Sequence, residues 1–407
     1  MRVSTVFTAA LRMVNLADPP PGFATDPFPV YDDLLASARV CPQPDGSYVI
    51  SGHADLSVIY RDTSLYISDK KSVFGPRFGE DSALYRHHTT SLVFNDPPLH
   101  SRVRRIMSSA LAPKAIARME PGLETSVHRL LGELPVRPDL ISDFAARIPI
   151  EVIGNLLDIP PSERSPLRDW SLAILGALEP VTSTEQQASG NAAVTEFSAF
   201  LKDLIARRRQ TPGDPQTDVL TRLIAGETDG LLSEEELVQN CIFILNAGHE
   251  TTTNLIGNGL ALLCDDESAR HDLRAAPDRI DGFVEEVLRF RSPNQFGNRQ
   301  TTKAVSFGGQ SIPAGANLHL CIGAANRDPE VFKAPGRFDM TRSPNRHLAF
   351  AAGPHVCIGL TLARLEARIA LVRFLERFPR FAVTRRVPGG RIRFHGFTEL
   401  RADLSER

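Results

Sequence analysis

The chain has 407 residues, of which 46 are Lys or Arg and 48 are Asp or Glu, so its formal net charge is −2. Hydrophobic residues make up 42% and charged residues 23%, a composition that is typical of a globular protein and excludes a largely disordered chain. Without an excess of positive charge, broad nucleic-acid binding lacks its electrostatic driving force and is excluded as well. The length allows two or three domains or one large enzyme domain.

The cysteines and the N-terminal segment indicate in which cellular compartment the protein would lie. The five cysteines include no C-x-x-C pair, which argues against a disulfide framework or a zinc ribbon and leaves at least one thiol unpaired. The N-terminal segment contains Arg2 and Arg12 and has no uninterrupted apolar run, so it predicts neither a membrane span nor a secretory leader. We expect a cytoplasmic protein without a stable membrane anchor, in which residues 1–20 form a flexible arm.

The first half of the chain predicts helices. Residues 97–135 and 149–210 carry apolar side chains at helical spacing, with Arg and Glu between them. His100 and Arg104 follow Asp96-Pro97-Pro98, and their spacing of four places both cationic donors on one helix face, where they suit a carboxylate. Taken alone, each of the two is more often a solvated surface group.

A long buried helix is predicted next. Ser233 and Glu236 form a capping box, and an apolar pattern then runs to Leu263, which predicts a helix that crosses the centre of the domain. Residues 247–252 read AGHETT, and glycine and threonine are poor helix formers, so we expect a local distortion there. A zinc site of the H-E-x-x-H type is excluded because position 253 is Thr.

The C-terminal half combines helices with a small sheet. Residues 278–291 predict a helix on which Glu286 and Arg289 can pair, although Glu285 is also well spaced and a surface ion pair is the commoner explanation. Residues 301–321 contain Gly308-Gly309 between apolar alternations and predict a β-hairpin. A last helix is expected over residues 357–378.

The segment 350–359, FAAGPHVCIG, precedes that last helix. Cys357 would then lie at a helix N-terminus, where free amides and the helix dipole lower a thiol pKa. A lone thiolate without another Cys or His at ligand spacing suits an axial ligand of haem iron. The alternative is a small buried hydrophobic residue, which is the interpretation we adopt for Cys41, Cys241, Cys264 and Cys321.

The same segment resembles the haem-binding signature of the cytochrome P450 superfamily, F-[G/S]-x-G-x-[H/R]-x-C-x-G. The matching residues are Phe350, Gly353, His355, Cys357 and Gly359, and Ala351 departs from the usual Gly or Ser. The resemblance implies a fold that is mainly α with small β-sheets (α+β), in which a helix-rich haem domain carries a minor β-rich lobe. It also implies one domain over residues 21–407 and haem b as the cofactor.

The resemblance further implies roles for individual residues. Cys357 would be the proximal thiolate ligand of the iron. The other haem-binding residues would be His100, Arg104, Ala247, Arg299, Phe350, His355 and Gly359. Glu286 and Arg289 would form the structural E-x-x-R pair, with Arg337 in PGRF as the third partner. Glu250 and Thr251 would be the acid–alcohol pair that relays protons towards the dioxygen site.

The substrate is predicted only coarsely. By resemblance, Phe243, Asn246 and Asn294 would face the distal pocket, and Phe74–Leu92 would be the mobile substrate-recognition loop. The charged and histidine side chains of that loop either meet an anionic substrate or, more simply, are exposed to solvent; they are Arg77, Arg86, His87 and His88. We expect a small to medium, largely apolar organic substrate, with or without a polar or carboxylate end.

The implied function is a monooxygenase that inserts one atom of dioxygen into the substrate. The chain shows no flavin or iron–sulfur motif, so a separate ferredoxin or flavodoxin would supply electrons to what we expect to be a monomer. Four arginines either form a basic surface for this donor on the cysteine side of the haem or are simply solvated on their helices, and the two explanations are equally good. They are Arg102, Arg105, Arg364 and Arg368. The alternatives are a peroxygenase of the same fold, which typically lacks the acid–alcohol pair, a haem sensor that does not need it, and a metal-dependent hydrolase.

Overall fold

The structure is a computed structural model that describes residues 14–214 and 218–405. Most of the predicted arm therefore lies outside the described residues. Where the arm is described it packs on the domain: Val14 and Leu16 are buried, and the Leu16 amide donates to Gln43 Oε1 at 3.0 Å.

Helices make up most of the described chain, and none of those described is both long and apolar enough to cross a membrane. In chain order they are α1 Phe28–Ser37, α2 His53–Arg61, α3 Lys71–Phe78, α4 Ala83–Thr90, α5 Leu99–Ala110, α6 Pro113–Gly132, α7 Arg147–Leu156, α8 Leu167–Gly176, α9 Thr184–Gln210, α10 Val219–Thr228, α11 Glu234–Asp265, α12 Glu267–Ala275, α13 Ile280–Phe290, α14 Ile322–Ala325 and α15 Leu360–Arg377. The mainly α class is confirmed.

Within the described residues, the strands form one five-stranded sheet, in the order β1-β2-β7-β4-β3, and two hairpins, β5-β6 and β8-β9. Their bounds are β1 Val40–Pro42, β2 Tyr48–Ile50, β3 Tyr66–Ile67, β4 Phe296–Thr301, β5 Val305–Phe307, β6 Gln310–Ile312, β7 Asn317–Cys321, β8 Arg380–Pro388 and β9 Phe397–Ser405. The β2 strand pairs with β7 in parallel, so the sheet joins the first sixty-odd residues to the C-terminal half. The predicted sheet in the C-terminal half is present, but it also contains β1, β2 and β3 from residues 40–67, which the sequence did not indicate.

The predicted hairpin is confirmed. Val305 pairs with Ile312 across β5 and β6, and the two turn residues Gly308 and Gly309 have φ angles of 55° and 78°. Two consecutive residues with positive φ form the kind of turn that matches the twist of a two-stranded ribbon, and glycine adopts it without a steric penalty.

The α11 helix runs through the core as predicted. Its capping box is present: Ser233 Oγ accepts from the Glu236 amide at 3.1 Å, and Glu236 Oε2 accepts from the Ser233 amide at 2.9 Å. The expected distortion at AGHETT is not found, because α11 is α-helical from Glu234 to Asp265. The burial of His249, Glu250 and Thr252 within the core outweighs the low helix propensity of this segment, since propensity is only a weak prior.

Candidate active site

The cysteine segment forms a tight loop ahead of α15. The Cys357 amide donates to the Phe350 carbonyl at 3.0 Å, and a 3-10 turn spans Gly353–His355. Gly353 has φ 69°, and a Cβ there would lie 2.3 Å from the Tyr60 carbonyl oxygen, so only glycine fits. Ala351 also has a positive φ, 58°, at the position where the resemblance expects Gly or Ser. The departure at Ala351 therefore carries backbone strain.

The electrostatics of Cys357 differ from the prediction. Burial raises the pKa of the thiol above its ordinary value, and this outweighs the lowering by the Gly359 amide and by the charges of Arg104 and Arg364. The expected net lowering is wrong because α15 begins only at Leu360, while surrounding protein withdraws the thiol from bulk water. The residue still has accessible surface, which indicates that it borders a cavity inside the domain. A metal ion bound at such a sulfur removes the proton outright.

Histidine and arginine side chains gather beside this loop. The His100 and His355 rings lie 3.9 Å apart between centroids, and His355 Nε2 lies 3.6 Å from Asp96 Oδ1. Arg104 Nη2 donates to the Val356 carbonyl at 2.8 Å, which fastens α5 to the cysteine loop. Burial, together with the charges of neighbouring cations, lowers the pKa of His100 to about 4, so the ring is neutral near pH 7 and still donates one hydrogen bond.

Two buried nitrogen atoms of this group lack a hydrogen-bond partner among the described residues: His100 Nε2 and Arg299 Nε. Buried polar atoms are nearly always paired, so these atoms mark a place for an acceptor. The carboxylates of haem propionates are acceptors of the right charge for this arginine- and histidine-lined site. The residues present therefore fit a haem whose iron is held by Cys357.

Lys70 is a cation of this region that the sequence did not single out. It is buried, and Lys70 Nζ donates to Asn317 Oδ1 at 3.2 Å. Burial, followed by the charges of Arg299 and Arg393, lowers its pKa to about 7. No local signal distinguishes this lysine from a surface lysine, because its neighbours come from β4, β7 and the segment after β8.

On α11 the predicted acid is held in a buried ion-pair network. Arg391 Nη1 lies 2.5 Å from Glu250 Oε1, and Arg391 Nε lies 3.0 Å from Glu179 Oε1. Glu250 Oε2 is buried and has no partner in the part of the chain that the structure describes. Burial raises the pKa of Glu250, although the charge and hydrogen bond of Arg391 oppose this. The sequence did not predict that Arg391 and Glu179 join this network, because both are remote from Glu250 in the chain.

The alcohol lies on the accessible part of the same helix. Thr251 is partly exposed, and its hydroxyl donates to the Ala247 carbonyl at 2.8 Å. Ala247 itself is exposed although α11 is buried on both sides of it, which places a cavity against this turn. Cavity-facing neighbours of mixed polarity are what a catalytic pocket requires.

The three predicted pocket residues lie in different settings. Phe243 is partly exposed, one turn before Ala247. Asn246 is buried, and its Nδ2 lies 3.2 Å from His87 Nε2. Asn294 forms an isolated β-bridge with Phe394, in the segment that also carries Arg391.

The predicted substrate-recognition loop is mainly helical and partly buried. It forms α3 and α4, and His87 and His88 are each only 2% exposed. Burial lowers the pKa of His87 to about 4 and that of His88 well below its usual range, so both are neutral. Arg77 Nη2 donates to the carbonyls of Ala177 and Glu179. The interpretation of these side chains as exposed loop charge is therefore wrong for both histidines and for Arg77.

The E-x-x-R pair is present, but its third partner differs. Glu286 and Arg289 are fully buried and form a two-point ion pair, with contacts of 2.7 and 2.8 Å. The second guanidinium on Glu286 comes from Arg342, whose Nε lies 3.2 Å from Oε2. Arg337 contributes only its backbone carbonyl, which accepts from Arg289 Nη2 at 3.1 Å. The prediction of Arg337 as the third side chain is wrong.

Three of the four proximal arginines are already ion-paired. Arg364 Nε lies 2.6 Å from Glu285 Oε1, and the remaining two pairs are Arg368 with Glu120 and Arg102 with Glu236, each at 2.5 Å. Burial raises the pKa of Glu285, but hydrogen bonds from His347 and Arg364 outweigh it and lower that pKa to about 2. Much of the expected basic face is thus neutralised, while Arg105 is exposed.

Comparison with known proteins identifies the family. The family described as Cytochrome P450 matches residues 171–387. The biotin biosynthesis cytochrome P450 of Bacillus subtilis is 33% identical over 88% of this chain and 90% of that protein. The erythromycin C-12 hydroxylase of Saccharopolyspora erythraea is 35% identical over 84% of each chain.

A solved structure supports the same assignment. The crystal structure of P450BioI, in complex with acyl carrier protein ligated to hexadec-9Z-enoic acid, superposes with a TM-score of 0.88 at 31% identity and covers 94% of this chain and 99% of its own. A fold and site of this kind define a haem-thiolate oxidoreductase. The chain belongs to the cytochrome P450 family, and it is a monooxygenase of organic substrates that uses iron protoporphyrin IX.

Proposed function

We propose that this monooxygenase uses Glu250 and Thr251 to deliver protons to the dioxygen site and oxidises a small to medium, largely apolar molecule. The observation that carries the proposal is the adjacency of a buried carboxylate, with one unpartnered oxygen, to a hydroxyl on the accessible turn of α11. A haem sensor has no need of this pair, and peroxygenases of this fold typically lack it.

The cofactor would be held from two sides within one domain, residues 21–407. Cys357 would ligate the iron, with Phe350 and Gly359 beside it and Ala247 across the ring. His100, Arg104, Arg299 and His355 would bind the propionates, since their donors lie in one cluster and two have unpaired nitrogens. When bound, the haem supplies dioxygen binding and activation.

The protein's own contribution is the handling of protons. Because burial raises the pKa of Glu250, its carboxyl group binds a proton more readily than an exposed glutamate does. A general acid works best when its pKa approaches the working pH, and this shift moves Glu250 in that direction. Thr251 Oγ1 donates to the Ala247 carbonyl and keeps its lone pairs for a water or for the site.

The electron donor is proposed to be a ferredoxin or flavodoxin that binds a monomer of this protein in the cytoplasm. Free thiols support that compartment, since all five cysteines are unpaired. Arg105 offers an exposed charge for docking. Reduction that slowed with rising salt in the wild type but not in Arg105→Ala would support this use of the arginine.

The proton-relay proposal is tested by Thr251→Ala. A ligand panel first identifies a substrate through its low-spin to high-spin shift. With that substrate, we expect the variant to consume dioxygen but to divert roughly tenfold more of it to peroxide, because proton delivery contributes at least about 10²-fold to rate. Thr251→Ser keeps the hydroxyl and should remain coupled. An unchanged ratio of product to dioxygen in Thr251→Ala would refute the assignment.

A further inference from the structure

One face of α11, beside the accessible turn at Ala247, contains a polar side chain that the proton relay does not use. Gln239, Phe243, Asn246 and Glu250 recur at intervals of three and four and therefore lie on one face of the helix. Asn246 stands between the partly exposed Phe243 and the carboxylate of Glu250, next to the exposed Ala247. Asn246 therefore adjoins the accessible turn of α11, against which the proposed substrate would lie.

The orientation of Asn246 is fixed by a histidine of α4. His87 Nδ1 lies 3.0 Å from Gln239 Oε1, and His87 Nε2 lies 3.2 Å from Asn246 Nδ2. The glutamine oxygen can only accept and the asparagine nitrogen can only donate, so Nδ1 carries the proton and Nε2 accepts. Burial keeps this ring neutral, because it lowers the pKa of His87 to about 4.

The same arrangement leaves one strong acceptor unused. Asn246 is 4% exposed, and its Oδ1 is buried without a hydrogen-bond partner among the described residues. Exchanging the two ends of the Asn246 amide would require the other His87 tautomer and a turn of Gln239 as well, so the three side chains together leave Oδ1 as the free end. Buried amide oxygens are seldom left unpaired, and a site built in this way favours the ligand that completes it.

We propose that Asn246 Oδ1 is a specificity-determining acceptor for a hydrogen-bond donor, a hydroxyl or an amide N–H, on an otherwise apolar substrate. This inference rests on the proposed function, because it takes the turn around Ala247 as the distal pocket. His87 and Gln239 are positioning residues: they hold the amide and do not touch the substrate. The substrate class is thereby narrowed from apolar molecules in general to those with a donor near the oxidised position.

The test uses probes that need no knowledge of the substrate. 4-Phenylimidazole is compared with its ortho-, meta- and para-hydroxyphenyl analogues by Soret titration of the haem-loaded full-length protein. The imidazole nitrogen binds iron, so the phenyl ring is held in the distal pocket and the hydroxyl samples the face of α11. We expect at least one hydroxy isomer to bind about tenfold more tightly than the parent, the scale of one net hydrogen bond.

Variants then locate the effect. In Asn246→Leu the preference for the hydroxyl should vanish, while parent affinity changes by no more than about twofold, because an amide is replaced by an apolar group of similar size. The matched control is Asn240→Leu on the same helix: Asn240 is paired with the Glu236 carbonyl at 2.7 Å and the Leu92 amide at 3.0 Å, so the preference should persist. His87→Phe frees the amide and should weaken the preference.

The outcomes distinguish failure of the acceptor role of Asn246 from failure of the proposed function on which it rests. If no hydroxy isomer binds more tightly than the parent in the wild type, or if the preference survives in Asn246→Leu, the acceptor role is wrong while the haem site stands. If 4-phenylimidazole itself produces no Soret shift, the proposed haem site fails instead. The wild-type series decides the question even where a variant does not load haem.

Discussion

At the scale of single residues, the site combines strain with buried charge. Ala351 adopts a left-handed φ of 58°, where an L side chain meets its own backbone, whereas the next residue, Ala352, is extended with φ −152°. The loop that presents Cys357 therefore stores strain at one alanine and none at its neighbour. Such strain is kept where the surrounding structure fixes the backbone, as the Cys357–Phe350 hydrogen bond does here.

Replacing Ala351 by glycine should stabilise the protein. Glycine adopts positive φ without the Cβ clash, and we expect the free energy of unfolding to rise by about 0.5–1 kcal/mol after the entropic cost of glycine is counted. Thermal unfolding of the haem-loaded protein measures it. Ala352→Gly is the matched control and should lower stability, because its backbone needs no glycine; equal effects of the two changes would contradict the strain.

Removing the charge of Arg391 should make stability more dependent on pH. Glu250 has a raised pKa in the folded state, so its contribution is full below its ordinary pKa and is lost as pH rises through the folded pKa. Arg391→Gln raises that pKa further, because the charge that opposes burial is gone, and the loss then extends to higher pH.

The measurement is the unfolding midpoint at about pH 5 and about pH 8. We expect Arg391→Gln to lower the unfolding midpoint more at the higher pH. Arg391→Lys keeps the charge and should show the same pH dependence as the wild type. Adding Glu250→Gln to Arg391→Gln should abolish the extra pH dependence. If the dependence remained in that double variant, the assignment of the pH dependence to Glu250 would be wrong.

At the scale of elements, long-range contacts set what the sequence could predict. The capping box of α11, the Gly308-Gly309 hairpin and the positions of α13 and α15 follow from local chemistry, which adjacent residues carry. The pairing of β2 with β7 does not, because these strands lie hundreds of residues apart in the chain. The helices α3 and α4 do not either, because burial there overrides the polar composition of the segment.

The partners of Glu286 show the same limit. Spacing of three indicated Arg289, and the structure contains that pair, but the third side chain, Arg342, is brought in by a loop whose path no local pattern specifies. Arg337 is exposed and takes part only through its backbone. The PGRF motif thus identified a segment that contacts Arg289, but the side chain that binds Glu286 is that of Arg342.

This correction gives a direct contrast between two arginines. Arg342→Ala should lower the free energy of unfolding by about 1–3 kcal/mol, because it removes a charged partner from the fully buried Glu286. Arg337→Ala leaves the backbone carbonyl in place and should cost no more than about 0.5 kcal/mol. Chemical denaturation of both variants compares them, and a larger cost for Arg337→Ala would contradict the assignment.

At the scale of the whole molecule, the haem site is assembled from most of the chain. The cysteine loop precedes α15, and the proposed propionate donors come from α5, β4 and that loop. The proposed acid–alcohol pair lies on α11, and Arg391 reaches it from the segment between β8 and β9. The motifs that contain the cysteine, the histidine and arginine donors and the acid–alcohol pair each lie on one of these elements, which is why the family could be predicted from the residues. The substrate could not, since the groups around Asn246 come from α4 and α11 and their contacts exist only in the fold.

The most direct test of the account is the reduced CO spectrum, which reports whether a cysteine thiolate ligates the iron. We predict a thiolate-type Soret band in the wild type and in Cys264→Ala, a control that removes another free thiol, and the loss of that band in Cys357→Ala. A thiolate-type band that persisted in Cys357→Ala, or that was lost with Cys264, would contradict the assignment of Cys357 as the haem ligand.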